Sequence, residues 1–247
     1  MNIIFKCVGI TKNYENEAVV QNISLDLPER GFISLLGPSG VGKTTLFNVL
    51  AGVEKPDAGR VFLNSEDVTG ICGKVSYMLQ KDLLLEYRTV LDNVILPLLI
   101  KGQKKKAARE YAAPFFPQFG LDGYEKKYPR QLSGGMRQRA ALLRTCMLAN
   151  PTILLDEPFS ALDAITRRRM QDWYSEIAES MKLSTIFITH DVEEALLLSD
   201  TVYILNNKPG KITHRIEVSP CRPRNRDFSV TAEFSQQKRI ILEAIGL

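Results

Sequence analysis

The stretch "FISLLGPSGVGKTTLFNVLAG", residues 32–52, decides the fold, because it joins a strand pattern, a loop pattern and a helix pattern without a break. Its opening run, "FISLL", is continuously apolar, which is typical of a strand buried on both faces. Its closing part, "TTLFNVLAG", reads as a helix that ends at Gly52. The loop at residues 37–45 fits the pattern G-x-x-x-x-G-K-[ST]. This order of strand, glycine loop and helix predicts a phosphate-binding loop.

The residue types of this loop explain how it would hold a phosphate chain. Glycines let the backbone wrap closely around phosphates, so that its amide groups point inward as donors. We expect the Lys43 ammonium to meet the β- and γ-phosphates of a nucleotide, and the Thr44 hydroxyl to join the ligands of a Mg²⁺ ion. The predicted nucleotide-binding residues of the loop are Gly37, Pro38, Ser39, Gly40, Val41, Gly42, Lys43, Thr44 and Thr45.

The composition of the chain is that of an ordinary α/β protein. Of its 247 residues, 45% are hydrophobic and 24% are charged, and the net charge of +4 is too small to indicate a nucleic-acid partner. The longest apolar run, Val94 to Ile100, is far too short to span a membrane, and the first ten residues do not resemble a secretory signal. The scattered cysteines predict reduced, cytosolic thiols rather than a disulfide framework or a metal site; they are Cys7, Cys72, Cys146 and Cys221.

Strands and helices alternate along the chain. Residues 19–27 alternate between polar and apolar and predict a half-buried antiparallel strand, whereas the apolar runs at 152–155 and 184–189 predict two more buried strands. Residues 201–205 lead into "NNKPGKI", which predicts a turn between two strands. A helical pattern dominates residues 83–145. These patterns predict a parallel-sheet core that is interrupted by a helical lobe.

Two adjacent carboxylates follow the predicted strand in "ILLDEP", residues 153–158. Side chains alternate along a strand, so we expect Asp156 and Glu157 to point in different directions. We assign Asp156 to the metal and Glu157 to the general base that activates a water molecule. His190 ends the next buried strand, and because parallel strands collect ligands at their carboxyl ends, we expect it to contact the γ-phosphate.

A second glycine loop, "LSGGMRQRA", occupies residues 132–140. Ser133 can cap the helix that follows, while Gly134 and Gly135 leave the first amide groups of that helix bare. A helix N-terminus with bare amides favours an anion, but this loop has no lysine of its own. The pattern therefore predicts half of an anion site.

The ordered set of these motifs resembles the nucleotide-binding subunit of an ATP-binding-cassette (ABC) transporter over nearly the whole chain. The motifs that carry the resemblance are Tyr14, the loop at 37–45, Gln80, "LSGGM" at 132–136, the strand and carboxylates at 152–157, "SALD" at 160–163, and His190. The resemblance implies an α/β P-loop NTPase with a mainly parallel sheet core, an antiparallel β subdomain and an inserted helical subdomain. It implies one domain over residues 1–247. Within this domain, the core would occupy about 1–82 and 146–220, the helical subdomain about 83–145, and a C-terminal tail about 221–247. A short helical end is expected to start from Glu233 in the tail.

In this family, two subunits pack head to tail with two ATP molecules between them. The resemblance therefore implies that Ser133, Gly134 and Gly135 of one chain close on the γ-phosphate held by Lys43 of the other. The partner is expected to be a second copy of this chain.

The resemblance also implies roles for three further residues. Tyr14 would stack on adenine, although from the sequence alone a packing role is equally plausible. Gln80 would contact the metal and the attacking water, and it would relay the state of the nucleotide to the helical subdomain. Asp163 would brace the facing subunit.

The same resemblance implies the cellular setting. The chain would lie peripherally at the cytoplasmic face of the inner membrane, with integral membrane permease subunits as partners and a solute-binding protein in the complex. The tail "SPCRPRNRDF", residues 219–228, resembles that of the nitrate, sulfonate and taurine importers, although a loose basic tail is nearly as plausible. The chain departs from the common family pattern at Met136, where glutamine is usual, and at Glu86–Tyr87, where many relatives carry proline and tryptophan.

Two other classes of protein remain open from the sequence. A soluble ABC-type ATPase could act on nucleic acid or the ribosome, but such proteins usually insert a long coiled coil or join two cassettes, and neither pattern is present. The basic stretch "KGQKKKAAR", residues 101–109, has no interleaved aromatic residues, so it indicates a solvated or lipid-adjacent face rather than nucleic-acid binding. A metabolic P-loop kinase would leave "LSGGM" unexplained.

Overall fold

The computed structural model of the chain describes residues 2–15, 17–148, 150–160, 162–222, 224 and 226–246, with Arg226 described by its backbone alone. Its strands are β1 Ile3–Tyr14, β2 Glu17–Pro28, β3 Phe32–Leu36, β4 Ala58–Leu63, β5 Glu66–Asp67, β6 Ser76–Met78, β7 Thr152–Asp156, β8 Ser184–Thr189, β9 Thr201–Asn206 and β10 Lys211–Glu217. Its helices are α1 Lys43–Leu50, α2 Val90–Val94, α3 Leu96–Ile100, α4 Lys105–Ala112, α5 Phe115–Gln118, α6 Gly134–Cys146, α7 Ala164–Ser180, α8 Val192–Leu198 and α9 Ala232–Ile245.

The larger sheet carries the site. Its strand order is β10-β9-β3-β8-β7-β6, and all neighbours are parallel except β9 and β10. Every residue of β3, β7 and β8 is buried, as their continuous apolar runs predict. Because these strands are parallel neighbours, the loops that follow β3, β7 and β8 meet at one edge of the sheet.

The smaller sheet is antiparallel and has the strand order β2-β1-β4-β5. Its inward side chains, among them Phe5, Ile10 and Val61, share one apolar cluster with Leu35 of the larger sheet and Phe47 of α1. This shared core fixes the end of β1, where Tyr14 lies, relative to the helix that follows the phosphate-binding loop.

Between β6 and β7 the chain forms helices α2 to α6. Their apolar residues, such as Val90, Phe116 and Leu143, join a cluster with Tyr174 of α7 and Phe187 of β8. Helices α2 to α6, of which α6 follows the second glycine loop, therefore pack directly against the sheet. In the described part of the chain, no helix is long and apolar enough to cross a membrane, and all four cysteines are free.

The C-terminal segment is more ordered than its polar sequence predicts. Helix α9 has 14 residues, longer than the short helical end expected from Glu233, because Phe234 and Ile241 pack into a cluster with Ala195 and Ile204. The arginine-rich stretch before it is held inward rather than loose, as the guanidinium of Arg222 donates 2.8 Å hydrogen bonds to both carboxylate oxygens of Asp200. Two residues of the predicted tail motif, Pro223 and Asn225, lie outside the described residues.

Candidate functional site: a phosphate-binding loop beside two carboxylates

The loop after β3 has backbone conformations that favour glycine. Gly40 and Gly42 have φ values of +76° and +99°, in the left-handed region that favours glycine. A Cβ on Gly37 would lie 2.1 Å from the carbonyl oxygen of Leu205, so no other residue fits there. Pro38, Ser39 and Gly40 are exposed, whereas Val41 is buried and ties the loop to the core. Residues 38–40 are thus accessible to a ligand, while Val41 fixes the loop to the core.

Lys43 lies at the start of α1 and is folded back across this loop. Its ammonium Nζ donates hydrogen bonds to the carbonyl oxygens of Gly37, at 2.8 Å, and Pro38, at 2.9 Å. Burial lowers the pKa of Lys43, while the nearby carboxylates of Glu157 and Asp156 raise it. The cation is therefore held in position by the loop itself.

Thr44 and Asp156 bring two oxygen ligands together from distant parts of the chain. The Thr44 hydroxyl, on the first turn of α1, donates a 3.0 Å hydrogen bond to Asp156 Oδ2 at the end of β7. Burial raises the pKa of Asp156 and the Glu157 charge raises it further, while the Thr44 hydrogen bond and Lys43 lower it. A hydroxyl and a carboxylate at this separation are oxygen donors of the kind that Mg²⁺ prefers. Thr45, the next residue of α1, is half-buried.

Glu157 lies just beyond β7 and is held on both sides. Gln80 donates its amide Nε2 to Glu157 Oε2 at 2.9 Å, and His190 Nδ1 lies 3.6 Å from Glu157 Oε1. The Glu157 side chain is 17% exposed, whereas that of His190 is 59% exposed. The three residues that the sequence assigned to catalysis therefore form one cluster.

The reason for the direction of Glu157 differs from the one given by the sequence pattern. Strand alternation does not apply to it, because β7 ends at Asp156 and Glu157 has a φ of +46°. The backbone amide of Glu157 donates to the carbonyl oxygen of Ile188 at 3.2 Å, and this bond holds the turn against β8. Glu157 itself therefore has a left-handed backbone conformation, which is uncommon for a residue other than glycine, and this conformation turns its side chain away from that of Asp156.

Tyr14 ends β1 and is 42% exposed. Its hydroxyl donates a hydrogen bond to the carboxylate of Glu54, and Lys12 Nζ lies 5.4 Å from the centroid of its ring. Glu54 is not marked by any motif of the sequence. Nothing in the spacing of Tyr14 and Glu54 marks them as neighbours, since it is the pairing of β1 with β4 that brings the two segments together.

The second glycine loop has the predicted cap. The Ser133 hydroxyl accepts a 3.4 Å hydrogen bond from the amide of Met136 at the start of α6. The space around Gly134 is open, while a Cβ on Gly135 would touch Leu162 and Thr166 of the following segment. Among the described residues, no hydrogen bond or ion pair joins residues 133–135 to the loop at 37–45.

Asp163 caps α7 rather than contacting the phosphate-binding loop. Its Oδ1 accepts a 3.0 Å hydrogen bond from the amide of Thr166, and this bond lowers the pKa of the carboxyl group. Its side chain lies in the "SALD" motif, of which Ala161 falls outside the described residues. Asp163 is exposed and so remains accessible to another chain.

Known proteins resemble this chain over most of its length. The family model for ABC transporters matches residues 20–160 of the chain. The formylaminopyrimidine import ATP-binding protein ThiZ of Halalkalibacterium halodurans is 42% identical over 220 residues, which cover 89% of this chain and 85% of that protein. The aliphatic sulfonates import ATP-binding protein SsuB of Bacillus thuringiensis subsp. konkukian is 37% identical over 221 residues, which cover 90% of this chain and 85% of that protein.

Solved structures lead to the same family. The dimeric structure of a post-hydrolysis state of the ATP-binding cassette MJ0796, bound to ADP and Pi, superimposes with a TM-score of 0.77 at 26% identity. That comparison covers 88% of this chain and all of the other. Its fold, its phosphate-binding loop and these similarities place the chain in the ABC transporter family, as one of its ATP-binding, ATP-hydrolysing subunits.

Proposed function

We propose that this chain is the ATP-binding subunit of an importer and that it hydrolyses ATP at the sheet edge where β3, β7 and β8 end. One observation carries the proposal: Glu157 is held by Gln80 and His190 directly beside the carboxylate that Thr44 contacts. The edge thus combines a phosphate-binding loop, a pair of metal-type oxygen ligands and a positioned base. Phosphate binding, charge neutralisation by a metal and a residue that orients the attacking water are the parts that enzymes of this kind use to hydrolyse a nucleotide.

The loop supplies binding and the carboxylates supply chemistry. Lys43 and the amides of residues 37–45 would bind the β- and γ-phosphates of ATP. Thr44, Gln80 and Asp156 would hold Mg²⁺. The amide nitrogen of Gln80 donates a hydrogen bond to Glu157, so its amide oxygen is the atom available to a metal. When bound, Mg²⁺ would neutralise charge on the phosphate oxygens.

Glu157 would accept the proton of the water that attacks the γ-phosphorus, and ADP and phosphate would leave. His190 is exposed beside Glu157, which would let it contact the γ-phosphate while it limits the movement of the base. Tyr14 would stack on adenine, with its exposed ring as the platform.

The second glycine loop would serve the nucleotide of a partner. Ser133, Gly134 and Gly135 form a capped helix start with open space and no lysine, and they make no bond to the loop at 37–45 within the described chain. In a head-to-tail dimer of two copies, each such loop would close on the γ-phosphate of the facing chain. Asp163 would brace the same interface.

The names of the relatives support the setting and the class of cargo. One import protein each for formylaminopyrimidine, for sulfate and thiosulfate, and for aliphatic sulfonates is 42%, 40% and 37% identical to this chain, respectively. We therefore propose that the chain lies at the cytoplasmic face of the inner membrane, bound to permease subunits and served by a solute-binding protein. A small solute of the nitrate, sulfonate or taurine type is the proposed cargo.

Replacing Glu157 with glutamine tests the catalytic part of this proposal. Glu157→Gln keeps the shape of the site but removes the base, so kcat for Mg-ATP should fall by about a hundredfold to ten-thousandfold while ATP still binds. Glu110→Gln, on exposed α4, is the matched control and should hydrolyse ATP at the parent rate. Turnover by Glu157→Gln at the parent rate would refute the assignment.

Purification from the native membrane tests the importer. An integral membrane protein should co-purify with the full chain, and its amount should not change after nuclease treatment. Recovery of nucleic acid or ribosomes in place of a membrane protein would instead support the soluble ABC-type ATPase.

A further inference from the structure

We propose that Glu54 is a positioning residue for the nucleoside base, because it fixes the ring of Tyr14 relative to the phosphate-binding loop. The inference rests on the proposed role of Tyr14 as the platform for adenine. One oxygen of the Glu54 carboxylate, Oε2, accepts the Tyr14 hydroxyl hydrogen bond, and the other, Oε1, accepts from Asn48 Nδ2 at 2.9 Å. A single carboxylate therefore joins the end of β1 to α1.

The attachment to α1 matters because that helix also carries the phosphate-binding lysine. Asn48 lies five residues after Lys43 on the same helix, and the backbone amide of Glu54 donates to the Asn48 carbonyl oxygen at 3.1 Å. Glu54 is thus tied to α1 by its backbone and by its side chain. Because the base and the phosphates belong to one ligand, a platform attached to α1 fixes where the base can bind relative to the phosphates that Lys43 would hold.

A second tyrosine fixes the orientation of the Asn48 amide. The Tyr77 hydroxyl donates to Asn48 Oδ1 at 3.2 Å, so Nδ2 is the atom that faces Glu54. The Tyr77 ring packs edge-on against Phe47 of α1, with ring centroids 6.0 Å apart. The row of side chains Tyr14, Glu54, Asn48 and Tyr77 is therefore anchored at its inner end in the core.

Lys12 defines the other side of the platform. Its ammonium lies 5.4 Å from the centroid of the Tyr14 ring and donates a 3.0 Å hydrogen bond to the carbonyl oxygen of Lys55. Lys12 contacts the ring and Glu54 contacts the hydroxyl, so the tilt of the ring depends on both. Only a ligand that has a base would contact the Tyr14 ring. A change in the tilt of the ring should therefore affect the binding of ATP but not the binding of a ligand without a base, whereas a general structural defect should affect both.

Steady-state kinetics with Mg-ATP, together with inhibition by tripolyphosphate, test the proposal on the full chain. Tyr14→Phe keeps the ring and removes the hydroxyl, while Glu54→Ala removes the acceptor. Each removes the hydrogen bond between the Tyr14 hydroxyl and Glu54, so each should raise KM for Mg-ATP by about three- to tenfold and should leave kcat within about twofold. The inhibition constant of tripolyphosphate, which has no base, should not change. Because both variants break the same bond, the double variant should match either single one.

Two further variants complete the design. Glu66→Ala changes an exposed glutamate on β5 of the same sheet and should leave KM at the parent value. Tyr14→Ala removes the whole platform and should raise KM more than Tyr14→Phe does. An equal rise in KM for Mg-ATP and in the tripolyphosphate inhibition constant would show a structural role and overturn the proposal.

The remaining outcomes separate this inference from the function on which it rests. If Tyr14→Ala raises KM but Tyr14→Phe and Glu54→Ala do not, Glu54 does not position the base and the role of Tyr14 stands. If Tyr14→Ala also leaves KM unchanged, the ring does not bind adenine and both proposals fail. If Glu54→Ala does not fold, Tyr14→Phe alone decides.

Discussion

Lys43 shows at the scale of a single residue how the chain prepares a phosphate site. A buried ammonium costs free energy unless it is paired, and here two loop carbonyls and the carboxylates of Asp156 and Glu157 surround it. The two loop carbonyls hold the Lys43 side chain across the loop. A side chain that is held in this way loses less conformational entropy when a ligand binds than a freely rotating lysine does.

The two histidines of the chain offer a matched test of the site. His190 lies beside Glu157, whereas His214 lies on the edge strand β10 and contacts the Thr213 hydroxyl. His190→Ala should lower kcat for ATP hydrolysis by about tenfold to a hundredfold, because the base loses a neighbour and the γ-phosphate loses a contact. His214→Ala should leave kcat unchanged. Equal activity of the two variants in a phosphate-release assay would remove His190 from the catalytic group.

At the scale of residues, the sequence offers the most definite predictions where a motif has a fixed spacing. The glycines and lysine at 37–45 follow a motif of fixed spacing, and Glu157 and His190, which each follow a recognisable buried strand, lie 3.6 Å apart in the structure. Glu54 was missed because its partner Tyr14 is 40 positions away and the contact depends on sheet pairing. The direction of Glu157 was attributed to strand alternation, yet it follows from a left-handed turn.

At the scale of elements, the arginine-rich segment closes the N-terminal edge of the larger sheet. Asp200 Oδ2 accepts hydrogen bonds from the Phe32 backbone amide and from Arg222, and the Arg222 guanidinium stacks 4.9 Å from the centroid of the Phe32 ring. The Arg224 guanidinium donates to backbone carbonyls of Leu197, Val218 and Pro220, and burial lowers its pKa to about 10. These arginines pack against the core as fixed parts of the fold.

Thermal unfolding checks this account of the segment. Arg222→Ala removes a paired hydrogen bond to Asp200 and a ring contact, so it should lower the free energy of unfolding by about 1 to 2 kcal/mol. For a chain of this size the midpoint should fall by about 2 to 8 °C. Arg239→Ala breaks only an exposed pair with Glu243 on α9 and should shift the midpoint by less than about 2 °C. Equal shifts for the two variants would show that the segment is not held by Arg222.

Element prediction depended on how regular each pattern is. Strands β3, β7 and β8 are buried on both faces, so each reads as an unbroken apolar run. Strand β1 was not predicted, since its pairing with β2 shifts register several times and the alternation is lost. Helix α9 was predicted to be short because polar residues precede it and predominate in its first half, and its full length depends on packing against α8.

At the scale of the whole molecule, the chain has two anion-type glycine loops and only one of them has a lysine. The loop at 37–45 lies at the sheet edge beside Asp156 and Glu157, whereas the loop at 133–135 starts α6 in the inserted helices. A chain that completed its own site would have to bring the second loop onto the first. A head-to-tail dimer of two copies, as proposed above, would bring them together without any change of fold.

The ATPase activity of mixed dimers tests this arrangement most directly. Purified heterodimers of differently tagged subunits would carry Ser133→Arg and Lys43→Ala either on opposite chains or together on one chain. If the loops of two chains share each site, the split arrangement puts both lesions in one site and leaves the other whole, so we predict residual hydrolysis. The combined arrangement damages both sites, and we predict almost none. Activity retained only when both changes share a chain would contradict the account, because each chain would then complete its own site.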